Sequence, residues 1–459
     1  MQDSLKYLKR HKFAFIMAFA SVILYYNFAY HLVRTDYTKL IVYYIALFVL
    51  FYKLIHSCSN NTKLLTVLAF LFRAVFIVSL PNLSQDFYRF IWDGRLILEG
   101  YNPYLFNVES FIKNGNYPIA QAKELYIGMG ELNAGHYTNY PPLNQLCFLI
   151  AALVSKTHIL GSVITMRLLI IAADFGTLYF GQKLLKLNNL PISHIFWYAL
   201  NPFIIIELTG NLHFEGVMIF FLIWSLYLLH RQKWIMAAII LALSVATKLL
   251  PLLFMPLFIK WFIRKDTNHG IFKLIGFYSI TGIATLLLFL PFLSTEFVNN
   301  YTETIGLWFQ DFEFNASIYY IARAIGYTVR GYNEIAIIGK FIPLLVILFV
   351  LGITFYKRNT TTIQLTTSML LALSFYYFTA TTVHPWYIAT LLILSIFTNY
   401  KFPLVWSFVI ILSYLAYTNT NNSENLWVVT LEYVIVYAVF IWEVILNKKV
   451  CYFNKQQTQ

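Results

Sequence analysis

The sequence predicts an all-α, polytopic integral membrane protein with about 14 transmembrane helices and a large external first loop that contains interfacial helices. Three observations predict it. Of 459 residues, 59% are hydrophobic and only 12% are charged, whereas a soluble chain of this size carries about a quarter charged residues. Mean hydropathy is +0.65, and the apolar residues fall in runs long enough to cross a bilayer. The basic residues behind the net charge of +13 stand in ones and twos at the ends of those runs. Membrane topology explains that pattern better than a nucleic-acid partner does.

Taken in order, spans are expected at about 13–33, 38–56, 64–80, 163–184, 194–209, 213–230, 234–248, 251–263, 271–293, 335–356, 363–382, 386–399, 403–418 and 427–446. The cluster Lys6, Lys9, Arg10 and Lys12 precedes a long apolar run with no small-residue cleavage site after it, so the run reads as a retained first helix. Basic residues collect in cytoplasmic loops. Lys6–Lys12 at one end and Lys448 and Lys449 at the other therefore place both termini on the cytoplasmic side. These two assignments require an even number of spans, so "PPLNQLCFLIAALV" (Pro141–Val154) is expected to dip in or lie at the interface without crossing. The polar segments Pro81–Tyr140 and Ser294–Glu334 then lie outside, with Thr209–Gly216, Lys248 and Thr381–Tyr387. Most acidic residues fall there, Asp311 among them. The chain is expected to be a single membrane-embedded domain, 1–459, with 81–140 as its catalytic loop. Cys58, Cys147 and Cys451 show neither paired nor zinc-ligand spacing.

The first loop opens with "SQDFYRFIWDGRLILEGYNPY". Asp86, Arg89 and Asp93 sit at i, i+3 and i+7, on one face of a helix that Gly100 would terminate, while Phe87, Phe90, Ile91 and Ile97 face lipid or protein. This reads as an amphipathic helix along the membrane surface. Asp86 would favour the helix dipole and Arg89 could pair with it, but carboxylates beside hydrocarbon are costly unless used. "GNLHFEG" places His213 and Glu215 near an intramembrane Glu207, and "VHPWY" places His384 beside interface anchors. "FEFNASIYYIAR" sets Glu313 and Asn315 among aromatics able to grip a sugar, and Asn315 also begins a glycosylation sequon. Tyr104 and Tyr140, in "YNPY" and "YPP", shape the loop and could line a groove. Arg167 and Asp174 read as a structural pair within one span. The chain carries no Walker A motif, dinucleotide fingerprint, nucleophile elbow or metalloprotease helix.

"QDFYRFIWDGRLILEGYNPY", "YPPLNQL", "YALNPFIIIELTGNLHFEG", "ATKLLPLLFMPL", "FEFNASIYYIAR" and "VHPWY" occur in that order. Together they resemble the membrane-embedded GT-C glycosyltransferases, in particular bacterial polyprenyl-phosphate-mannose-dependent mannosyltransferases. A weaker likeness is to the catalytic subunit of GPI mannosyltransferase I. The likeness spans about 80–390; the first two spans have no counterpart in the smallest GT-C cores. It implies transfer of a sugar, expected to be mannose, from a polyprenyl-phosphate donor to an acceptor hydroxyl of a glycan or glycolipid. Transfer would proceed with inversion on the external face of a bacterial cytoplasmic membrane. The matching position for the general base is Asp86. The leaving phosphate needs positive charge, for which Lys248 is the leading candidate and Arg89, Arg323 and Arg330 are further ones. His213 and Glu215 look like a displaced form of the family's "G-H-x-D" pair. No Asp-x-Asp pair is present, so no obligatory cofactor is expected, although Asp86 and Asp93 could share a divalent cation with Glu313 or Glu215. The alternatives are a lipid or glycan transporter, whose intramembrane charges would line a path, and a glycan polymerase using pyrophosphate-linked donors.

Overall fold

Backbone groups facing hydrocarbon must bond within their own segment, so apolar runs become helices. The computed structural model describes residues 12–265, 268–310, 312–419 and 421–447. Lys6, Lys9, Arg10, Asp311, Lys448, Lys449 and Cys451 lie outside the described residues. The architecture is all-helical; the β pairing among the described residues is one isolated parallel bridge, Phe314 to Thr382.

Among the described residues, six helices are long and apolar enough to cross a membrane: Lys12–His31, Tyr37–Cys58, Ile159–Leu187, Gly270–Phe292, Ile335–Tyr356 and Leu426–Leu446. A seventh span is formed if Ile192–Ala199 and Pro202–Gly210, bent by 51°, count as one. Pro142–Val154, Glu215–His230, Trp234–Thr247, Pro385–Ser395 and Phe402–Thr418 are shorter apolar helices. Of the about 14 spans expected from hydropathy, six or seven are long helices, and other expected spans are short or broken helices. Proline accounts for one case. The expected span 251–263 is a 3-10 helix, Leu250–Leu257, followed by a separate helix, Phe258–Lys265; Pro256 inside it removes an amide donor that an α-helix would use, whereas Pro251 sits in the first turn, where the amide has no intrahelical acceptor. Pro142–Val154 has 13 residues, about 20 Å of helix against a hydrocarbon core of about 30 Å.

The segment ahead of the first loop is pinned by buried polar groups. Arg167 donates to the carbonyls of Ile77 (3.0 Å) and Ser79 (2.6 Å) on one side, and of Thr209 and Gly210 (2.9 Å each) on the other. Asn82 donates to the Phe28 and Leu32 carbonyls at 2.7 and 3.1 Å, closing the end of the first helix, and Asn211 accepts from the Leu83 amide at 2.9 Å. Arg167 therefore does not pair with Asp174. Asp174 pairs at 2.7 Å with Arg73, 101 residues earlier in the chain. Each arginine found acceptors on a neighbouring element that a single-span reading leaves out.

The Asp86–Leu98 helix ends as its glycine predicts. Gly100 has φ 86°, its amide donates to Ile97 O at 2.9 Å, and the Tyr101 amide donates to Leu96 O at 3.1 Å; this is the paired closure of a left-handed C-terminal turn. The helix is not, however, an interfacial one with a wet polar face. Phe87 and every residue from Arg89 to Leu96 are buried. It packs on Pro142–Val154 and Ala122–Ala134, and at Gly94 an added Cβ would lie 2.2 Å from the Phe148 carbonyl oxygen.

Candidate active site

At the N-terminal end of that helix lies a cavity of about 900 Å³. Asp86, in the first helical turn, is half-buried in its wall. Arg89, Tyr140, His213, Glu215, Lys248, Glu313 and His384 also line it. Eight of the eleven site residues expected from sequence are thus brought to one space. Asp93, Tyr104 and Asn315 are not: each lies behind the wall and braces it.

Asp93 accepts from Arg89 Nε at 2.8 Å and from Gln145 Nε2 at 3.1 Å, fully buried. Arg89 in turn donates to the carbonyls of Asn133 and His136, each at 2.9 Å. The pair fastens the far end of the first loop to the helix that carries Asp86. Tyr104 donates to the Tyr140 carbonyl at 2.6 Å, and its own carbonyl accepts from Asn300 at 3.0 Å. It joins the first and second polar loops instead of facing the cavity. Asn315, at φ 48°, is fully buried: its side chain donates to Glu432 at 3.1 Å and its amide to Glu424 at 2.6 Å. That burial takes the sequon out of reach and fixes Phe314 at the cavity edge.

The cavity's charges are largely paired. Lys248 is bonded to Glu215 and Arg323 to Glu313, which also accepts from Asn333 and Tyr319. Arg330, which like Arg323 does not itself line the cavity, pairs with Glu334 at 3.0 Å. Lys248 follows the Trp234–Thr247 helix, whose last carbonyl accepts from Asn144 at 2.8 Å, so two elements set its height. The Asp86 carboxyl is pushed up to about 6, chiefly by the protein packed around it; Lys248 and Arg34 pull it down, Glu215 pushes it up. Burial holds His384 down at about 3, reinforced by Lys248, and burial with Arg89 lowers His136.

His213, Trp386 and His384 form a stack, with ring centroids 3.8 Å and 4.6 Å apart, and His384 continues it onto Phe314 at 5.2 Å. His213 Nδ1 meets the Glu207 carbonyl at 2.9 Å; since a carbonyl only accepts, the ring donates there. Glu207 also accepts from Tyr414 at 2.8 Å. The carboxylates considered for a shared cation do not converge: Asp93 turns to Arg89, Glu215 to Lys248 and Glu313 to Arg323. Among the described residues no group of three or more His, Cys, Asp or Glu is arranged to hold a metal ion.

Sequence reasoning passed over Arg34, His136 and Tyr417, all of which line the cavity. For Arg34 a signal was present: in the expected topology it sits at the outer end of a span, where basic residues are scarce.

An all-helical membrane protein that gathers an aspartate, paired cations and aromatic rings around a cavity of sugar-accommodating size is a membrane-embedded glycosyltransferase in class. Residues 18–264 match the alpha-(1->6)-mannopyranosyltransferase N-terminal domain, and the chain belongs to that family. No individual curated protein matches the chain. Asp86, Arg89, Tyr140, His213, Glu215 and Lys248 lie within the matched residues; Glu313 and His384 lie beyond them.

Proposed function

We propose that the protein transfers mannose from a polyprenyl-phosphate donor to an acceptor hydroxyl of a glycan or glycolipid, with inversion, on the external face of a bacterial cytoplasmic membrane. Asp86 is the general base. It takes the proton of the acceptor hydroxyl as the oxygen attacks the anomeric carbon, and the electron pair of the breaking C–O bond leaves on the phosphate. A phosphate needs little protonation to depart, so one carboxylate suffices. The α-(1→6) linkage in the family's description supports a sugar 6-hydroxyl as the acceptor, and inversion would then call for a β-linked donor.

The observation that carries this reading is the placement of Asp86. It is the carboxylate lining the cavity that forms no salt bridge among the described residues, although Lys248 and Arg34 act on it through space, whereas Glu215 and Glu313 are each bonded to a cation. A carboxyl raised to about 6 is mostly ionised at neutral pH and more basic than an ordinary aspartate. Family membership favours transfer over the transporter alternative. In membranes given labelled polyprenyl-phosphate mannose, Asp86→Asn is expected to lose about 10²- to 10⁴-fold in turnover at unchanged protein level. Undiminished transfer would remove Asp86 from the mechanism. Efficient use of a pyrophosphate-linked sugar in place of the monophosphate would overturn the donor assignment.

A further inference from the structure

Every cation that sequence nominated for the leaving phosphate is neutralised in place. Lys248 is held by Glu215, Arg89 by Asp93, Arg323 by Glu313 and Arg330 by Glu334. Arg34 differs from all of them. It lines the same cavity, half-buried, and forms no ion pair among the described residues. Its Nη1 donates to the Leu83 carbonyl at 3.2 Å, and its guanidinium lies 4.3 Å from the centre of the Tyr417 ring. These contacts fix the head group, and its charge also draws the nearby Asp86 carboxyl down, yet most of its five N–H donors remain uncommitted. The cavity's three histidines, His136, His213 and His384, are all pushed below the ordinary imidazole range by burial, so they add no competing cation.

We infer that Arg34 is the principal phosphate-binding residue of this cavity, contributed by the turn between the first two helices. The inference rests on the lipid-phosphate reading above and deepens it. The donor is a phosphodiester with one negative charge, and a second charge develops as the sugar departs. A planar guanidinium with free paired donors matches both the geometry and the growing charge. Tyr417 beneath it and Leu83, three residues before Asp86, hold the cation at a set distance from the base. The first two helices thus complete the site and do more than anchor the chain. The family match begins at residue 18, inside the first helix.

The test is equilibrium binding of a fluorescent polyprenyl phosphate to the purified full-length protein in detergent, with the uncharged polyprenol as control. Arg34→Gln is expected to weaken phosphate binding at least tenfold, to the level of the polyprenol, and Arg34→Lys to recover part of it because the charge remains. Parent and variants should elute alike on size exclusion and bind the polyprenol equally, which separates lost phosphate recognition from a misfolded cavity. Arg34→Gln binding the phosphate within twofold of the parent overturns the inference alone. A parent that does not distinguish phosphate from polyprenol overturns the lipid-phosphate reading, and this inference with it.

Discussion

At the scale of single residues, the chemistry reduces to how one carboxyl is tuned. As the proposed base, Asp86 would act only when ionised, and its raised value of about 6 puts the transition inside an accessible range. The sign follows directly: kcat/KM should rise with unit slope up to about pH 6 and be flat above, because protonation removes the base. The neighbours move that bend in opposite directions. Lys248 lowers the Asp86 value and Glu215 raises it, so Lys248→Met should shift the bend to higher pH and Glu215→Gln to lower pH. Profiles that move together, or not at all, would mean another group titrates. Asp93 plays a different part. Fully buried with Arg89, it compensates a charge that has no other carboxylate. Asp93→Ala should destabilise by about 3–5 kcal/mol, the scale for stranding a buried partner, while Asp93→Asn, which keeps hydrogen-bonding capacity, should lose less. Thermal unfolding in detergent reads both. The sequence set Arg89 against Asp86, but the structure pairs it with Asp93; the burial of that pair depends on Gln145 and on the Asn133 and His136 carbonyls, up to 52 residues away in sequence.

At the scale of elements, the first-loop helix shows what local pattern can and cannot reveal. Its start at Asp86 and its close at Gly100 follow from residue type alone: an acid at the positive helix end and a glycine where φ must be positive. Its surroundings do not, because charge spacing looks the same whether the polar face meets water or buried partners. Gly94 is the element's hidden specification. Its missing Cβ lets the backbone approach Phe148, and this close approach holds the Asp86 helix against Pro142–Val154. Gly94→Ala forces the two helices apart and should destabilise by about 1–3 kcal/mol, the usual range for overpacking, with lowered turnover because Asp86 moves with its helix. Gly100→Ala, which meets open space but must adopt φ 86°, should cost about 1–2 kcal/mol and leave turnover nearly intact. Equal effects on turnover from both substitutions would show that close packing at Gly94 is not what positions the base.

At the scale of the whole molecule, the apolar runs were legible and their lengths were not. Hydropathy marks where the chain avoids water, but a proline such as Pro256, and the bend between Ala199 and Pro202, decide whether a run becomes one helix or two. The cavity was legible only in pieces. Six of its expected residues come from the first 264 positions, yet Glu313, His384, Trp386 and Tyr417 close it from the other side. One buried apolar cluster runs from Ala14 to Val436, and Tyr44 in the second helix donates to the Ser407 carbonyl at 2.6 Å. The boundary of the family match at residue 264 is therefore not a boundary of the packed core. Residues 1–264 expressed alone should expose the surface that this cluster covers, aggregate in mild detergent and show no transfer. Co-expressed with residues 268–459, the same segment should regain measurable transfer, because the break falls at a connection between helices and each side supplies the apolar surface the other needs. Transfer by residues 1–264 alone would mean that the second half of the cavity wall takes no part in binding or catalysis.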